Sequence, residues 1–252
     1  MPDVEDGLGQ RPLRQLIRDL LAAAVLLGMA GPAAAGTRKL YVSSFDRIRV
    51  EGPFQVTVAT GRSPAAVATG DPRLLERLEV RLDGNTLVVR NPLDKWQDQP
   101  HDGNAAPVVV TLATPMLTGA SVIGGGALTV TGGKAPRLDL SVAGAGSIGW
   151  TGTDTDQANA TVIGNGQVTL AGRASRARLL INGAGSIHAD ALTAGELVIR
   201  VDGPGEATAR ARYTANVTNT GLGHVAVAGT PKCEVRSGAG GPVTCGAPRA
   251  RE

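Results

Sequence analysis

The stretch Val142-Ala143-Gly144-Ala145-Gly146-Ser147-Ile148-Gly149-Trp150 decides the fold, because it recurs. VIGGGALTV occupies 122–130, VIGNGQVTL 162–170, INGAGSIHA 181–189 and VDGPGEATA 201–209. The Gly-x-Gly triplet stands at Gly124-Gly126, Gly144-Gly146, Gly164-Gly166, Gly183-Gly185, Gly203-Gly205, Gly221-Gly223 and Gly238-Gly240, at intervals of 20, 20, 19, 20, 18 and 17 residues. Alignment on the triplet produces columns. Two positions before it stand Val122, Val142, Val162, Ile181 and Val201. Two after it stand Leu128, Ile148, Val168, Ile187, Ala207 and Val225; four after it, Val130, Trp150, Leu170, Ala189, Ala209 and Val227. Six after it stand only Gly or Ala: Gly132, Gly152, Gly172, Ala191, Ala211 and Gly229.

Alternate apolar positions turn to one face of a strand, so each unit is two strand arms joined at a glycine corner. One unit cannot bury its apolar positions alone. Units stacked about 4.8 Å apart turn every column into a continuous apolar ladder. The triplet is a corner where glycine can take positive φ, and the small column suits a second bend. The pattern therefore predicts an all-β chain: a parallel β-helix, or solenoid, with turns of about 19–20 residues and the right-handed sense usual for parallel crossovers. A left-handed hexapeptide helix would need a six-residue subperiod, and a calcium-binding roll would need Gly-Gly-x-Gly-x-Asp at period nine; neither pattern is present.

Upstream of these repeats, residues 36–117 read as an N-terminal β section that supplies first coils or a cap. Ile48, Val50, Phe54, Val56 and Val58 alternate around Gly52-Pro53. Asp71-Pro72 opens a short helix with Leu74, Leu75 and Leu78 on one face. Val80, Leu82, Asp83-Gly84, Leu87 and Val89 read as a hairpin, residues 91–107 as a polar loop, and Val108, Val110 and Leu112 as a further strand. The solenoid proper spans 118–245, and 246–252 form a tail. In the last turn the apolar residue slips to Val235 and Gly241 lengthens the corner.

Residues 1–35 read as an export signal. Arg11, Arg14 and Arg18 precede the apolar run Leu20–Met29, and Ala33-Ala34-Ala35 precedes Gly36. The apolar run is shorter than the roughly 20 residues that span a bilayer, so no transmembrane segment is expected in the mature chain. Export leads to the periplasm or the cell surface. Cys233 and Cys245 are the only cysteines, and both lie in the exported part, where a disulfide persists. A zinc pair is the rival reading, but no histidine or second cysteine pair adjoins them.

Composition narrows the function classes. The chain of 252 residues has 35 glycines, 2% aromatics and a formal charge of +3. Its charges form no Lys/Arg block, so nucleic-acid binding is not expected. Two Phe, two Trp and two Tyr offer few stacking platforms for bases or sugars. Phosphate-binding loops would need a helix after each Gly-x-Gly, and strand patterns follow instead. No cofactor is expected.

The chain starts its β section with Phe45-Asp46-Arg47-Ile48-Arg49-Val50 and Phe54-Gln55-Val56-Thr57-Val58. Gly70-Asp71-Pro72-Arg73-Leu74-Leu75 and Leu82-Asp83-Gly84-Asn85-Thr86-Leu87 come next, and then serial turns such as Val142–Ile148. This ordered combination resembles the bacterial family called putative auto-transporter adhesin, head GIN domain. The resemblance implies a right-handed β-helix of pectate-lyase-like shape in the envelope or on the surface, and no established reaction. Only Gly246 to Glu252 come after the last turn, so self-export through a C-terminal barrel is not expected.

Candidate chemistry is sparse. Ser147 and Ser186 lie in Gly-x-Gly-Ser-Ile rather than in a Gly-x-Ser-x-Gly elbow. His101, His188 and His224 are the only histidines. The solenoid register brings Asp202, Glu206 and His224 toward one corner, where they could bind a divalent cation or act as acid and base; an outward, solvated ladder is the alternative. Asp139 aligns with Asn159 and Arg178, and Asp154 with Lys134 and Ala174, so neither column stacks carboxylates. The first functional expectation is a non-enzymatic, adhesin-like scaffold for an envelope protein or glycan. The second is a polysaccharide lyase or hydrolase at the Asp202 corner. The third is end-to-end self-assembly of stacked coils.

Overall fold

The computed structural model describes residues 36–92, 108–238 and 240–246. The export signal over 1–35, most of the polar loop with His101, and all but the first residue of the tail lie outside the described residues. Among the described residues seventeen strands form one continuous sheet, most of it wound into stacked parallel coils, a β-solenoid of about 6 turns.

The strands are β1 (Gly36–Leu40), β2 (Arg47–Glu51), β3 (Gln55–Thr60), β4 (Ala65–Gly70), β5 (Glu79–Asp83), β6 (Thr86–Arg90), β7 (Val109–Thr114), β8 (Gly119–Gly124) and β9 (Ala127–Thr131). The longer β10 (Lys134–Gly144), β11 (Ser147–Gly164), β12 (Gln167–Asn182), β13 (Ser186–Asp202) and β14 (Glu206–Asn219) come after them. β15 (His224–Gly229), β16 (Lys232–Ser237) and β17 (Val243–Cys245) complete the chain, and the one described helix is α1 (Pro72–Glu76).

Each coil has three arms. The first arm enters the glycine corner, the second leaves it, and the third lies beyond the second bend. The repeat columns are ladders: Val122, Val142, Val162 and Ile181 are in register along the first arm. Leu128, Ile148, Val168, Ile187, Ala207 and Val225 are in register along the second. All ten are at most 1% exposed, so one narrow aliphatic core runs along the axis. Trp150 precedes Ala158 and Ala160 on β11, and those two alanines are in register with Leu138 and Leu140 of β10; large and small side chains together keep the interior filled. Trp150 Nε1 donates to the Gly132 carbonyl at 2.7 Å, which satisfies its buried N–H and ties it to the preceding bend.

The two glycines of a triplet do different jobs. Gly144 has φ +108°, a conformation that a Cβ would strain. Gly146 is needed for space: a Cβ there would lie 2.5 Å from Val122 Cγ1 and 2.7 Å from the Gly126 carbonyl oxygen. The last triplet departs from the spacing-based assignment. Nothing lies within 4 Å of a Cβ on Gly238 or Gly240, and Gly241 takes the stacked position, where a Cβ would lie 2.5 Å from the Gly223 oxygen.

Stacking order is not chain order. β2 pairs with both β6 and β8, and β3 with both β7 and β9, all in parallel. The coil of residues 47–60 therefore lies between a later one, 86–114, and the repeats. The chain can return because it first builds the end of the stack. β4 runs antiparallel to β7, β1 antiparallel to β4, and β5 antiparallel to β6. Strands β1 and β4 were not apparent in the sequence. α1 adjoins this end, with the Asp71 carboxylate accepting from Arg73 N at 2.8 Å and Leu75 and Leu78 buried. At the other end Cys233 and Cys245 are bonded, with S–S 2.08 Å and Cα atoms 6.2 Å apart.

Candidate functional site

The corner singled out in the sequence divides between two arms. Glu206 and His224 are register partners on the second arm, with Oε1 and Nδ1 3.8 Å apart and both side chains about half exposed (50% and 46%). Asp202 ends the first arm opposite Asn182 and is committed elsewhere. Arg200 Nε donates to its Oδ2 at 2.8 Å, and the Thr220 hydroxyl donates to its Oδ1. The Arg200 hydrogen bond first, and the Thr220 bond second, hold the Asp202 carboxyl below its ordinary range, and Asp202 in turn raises the Arg200 guanidinium. No group of three or more His, Cys, Asp or Glu side chains able to hold a metal occurs among the described residues. Of the three residues expected at this corner, Glu206 and His224 thus face each other on the second arm, while Asp202 is engaged by Arg200 and Thr220 on the first.

The third arm corrects one alignment. Lys134 pairs with Asp154 as the columns predict, but Asp154 pairs with Arg173, not Ala174. An irregularity between Trp150 and Thr153 shifts the register by one residue. Asp139, Asn159 and Arg178 do align, and Asn159 Nδ2 donates to Asp139 at 2.8 Å. His188 Nδ1 lies 3.4 Å from the Thr208 hydroxyl, which donates to Asp190 at 3.0 Å. These contacts fasten one coil to the next.

The clearest surface feature is what the second arm omits. Thr111, Thr57, Thr129, Gly149 and Thr169 form one outward column across five coils. The second-arm strand segments 109–114, 55–60, 127–131, 147–151 and 167–171 contain no charged residue. The neighbouring first arm carries Arg47, Arg49 and Asp139. The uncharged face extends over about 19 Å at the usual strand spacing.

Sequence reading also missed Asn219. It stands where the five turns before it have Val or Ile two positions ahead of the triplet, and it is fully buried. Its signal was the break in that column.

Three arms per turn, glycine corners and a capped end define the class: a parallel β-solenoid domain. The chain belongs to the family described as putative auto-transporter adhesin, head GIN domain, whose pattern matches residues 44–231. Its fold is similar to that of a putative adhesin from Bacteroides fragilis NCTC 9343, with TM-score 0.70, 20% identity, and 85% of this chain and 97% of that one covered. It is also similar to a putative lipid binding protein from Parabacteroides distasonis ATCC 8503, with TM-score 0.66, 17% identity, and 86% and 98% covered. A putative adhesin from Parabacteroides merdae ATCC 43184 matches with TM-score 0.60, 18% identity, and 84% and 96% covered. No curated protein matches the chain in sequence. No helix among the described residues is long and apolar enough to cross a membrane.

Proposed function

We propose that the chain is exported by its first 35 residues to the periplasm or cell surface and acts there as a non-enzymatic, adhesin-like interaction scaffold. The observation that carries this reading is the uncharged second-arm face. Depletion of charge at the centre with charge at the rim is the compositional mark of a protein interface. The regular Thr column adds hydroxyl donors and acceptors at the spacing of the coils, on a backbone that pairs on both sides and needs no ordering on binding. The partner is an envelope or surface protein or a glycan.

The test is binding of the purified protein to protein and glycan arrays, with Thr129→Arg as the variant. Saturable binding that Thr129→Arg reduces about tenfold or more supports the reading. Absence of any saturable binding, or binding indifferent to a charge at position 129, overturns it.

A further inference from the structure

On the third arm the coils enclose an open trough of about 700 Å³. A second hollow of about 280 Å³ shares Asp154, Thr155 and Asp156 with it and continues to Lys134 and Pro136. Together they run from residue 134 to residue 213 across five coils, about 19 Å at strand spacing. We propose that this trough is a binding site for an extended, uncharged oligosaccharide, separate from the second-arm face.

The floor explains the depression. Gly195 has no side chain, and a Cβ there would meet the Ser175 carbonyl oxygen at 2.6 Å. Tyr213 closes one end: its Cδ2 stands 3.6 Å from the same Cβ position, and the residue is 67% exposed. An aromatic ring presented this way, apolar on its face and polar at its hydroxyl, suits the C–H face of a pyranose. It is one of only two tyrosines, so a chain poor in aromatics places one of them at this hollow.

The walls supply polar recognition. Arg173 with Asp154 (3.8 Å) and Arg176 with Glu196 (3.1 Å) are ion-paired across adjacent coils and line these walls. Asp156 and Arg212 also line the trough and have no ion-pair partner among the described residues. A carboxylate and a guanidinium left in this way present bidentate acceptors and donors, the pattern that neighbouring sugar hydroxyls satisfy. Three guanidinium groups and Lys134 face three carboxylates along the trough, a net charge of only +1, so it has little attraction for a polyanion. An extended peptide is the lesser fit. Peptides join sheets through a free strand edge, whereas the central strands of the floor, β12 and β13, are already paired on both sides.

The experiment is calorimetric titration of the protein with neutral hexasaccharides of glucose, mannose and N-acetylglucosamine, alongside polygalacturonate and an uncharged extended hexapeptide. At least one neutral hexasaccharide should bind. Tyr213→Ala and Arg212→Ala should each weaken that binding about tenfold or more, and a rise from about 0.1 to 0.5 M NaCl should change it less than about twofold. Both side chains are exposed, and an unchanged melting temperature confirms that each variant folds. Failure of every neutral hexasaccharide to bind overturns the inference. So does saccharide binding that survives both substitutions, or polygalacturonate or peptide binding that they abolish. Loss in Thr129→Arg with retention in Tyr213→Ala moves the ligand to the second-arm face, overturning the trough while leaving the scaffold reading intact.

Discussion

Asn219 Nδ2 donates to the Gly223 carbonyl at 2.7 Å, and its Oδ1 accepts from Gly221 N at 3.2 Å. One fully buried amide thus clasps the last regular corner from inside. In the turns before it, Val or Ile fills the same column with methyl groups. The clasp stands near the end of the stack: the next corner is displaced to Gly241, and only one short apolar rung, Val243 and Cys245, follows it.

Asn219→Ala should therefore destabilise the protein by about 1–3 kcal/mol, since it leaves the Gly223 carbonyl buried without that donor. Val at the same position should recover only the packing part. Urea midpoints measure both; a cost near zero for Asn219→Ala would contradict the clasp.

Gly146→Ala and Gly149→Ala should act in opposite directions. The first puts a methyl group 2.5 Å from Val122 Cγ1 and 2.7 Å from a backbone oxygen, which costs about 1–3 kcal/mol by overpacking. The second adds a methyl where nothing lies within 4 Å and φ is not positive. It should stabilise by about 0.4–1 kcal/mol through the unfolded state. Paired melting curves would show whether the signs differ.

The Asp202 carboxyl should titrate below the ordinary Asp value of about 3.9, with the Arg200 hydrogen bond as the main cause and Thr220 as the second. A depressed folded value means that its contribution to stability is complete above the unfolded-state value. That contribution is lost as pH falls through the folded value. Thr220→Val should move the midpoint upward and Arg200→Ala should move it further. Carboxyl chemical shifts followed through acid pH report this, and identical midpoints in all three proteins would remove the assigned cause.

Replacing Cys233 and Cys245 with Ser should cost about 3 kcal/mol, the value for a short closed loop. Their separation is 12 residues. The loss should concentrate at the end of the stack. Hydrogen exchange should accelerate in β16 and β17 before β11 or β12; uniform acceleration would mean that the bridge supports the whole solenoid instead.

Much of the architecture was legible because the repeat carries its own physics. Val142, Ile148 and Trp150 at fixed offsets from Gly144 and Gly146 state which side chains face inward, and the glycines state where the chain turns. The helix at Asp71-Pro72 was legible from its cap. The site was not. Glu206 and His224 are register partners 3.8 Å apart, whereas Asp202 is engaged by Arg200 and Thr220, whose side-chain choices no period encodes. Arg173 meets Asp154 only because of the irregularity after Trp150, a one-residue shift that equal spacing conceals.

By itself, then, the sequence determined the coil: its length, its corners, its aliphatic interior and the class of fold. The tertiary structure alone decided the stacking order. Residues 47–60 lie between 86–114 and 119–131 because parallel strands recognise one another through backbone groups and alternate apolar faces that every coil shares. The cap strands β1, β4 and β5 leave that gap to be filled. The same generality of backbone pairing explains the trough. Asp154, Arg176, Glu196 and Tyr213 belong to separate turns, and only the stacking of those turns gathers them on one face.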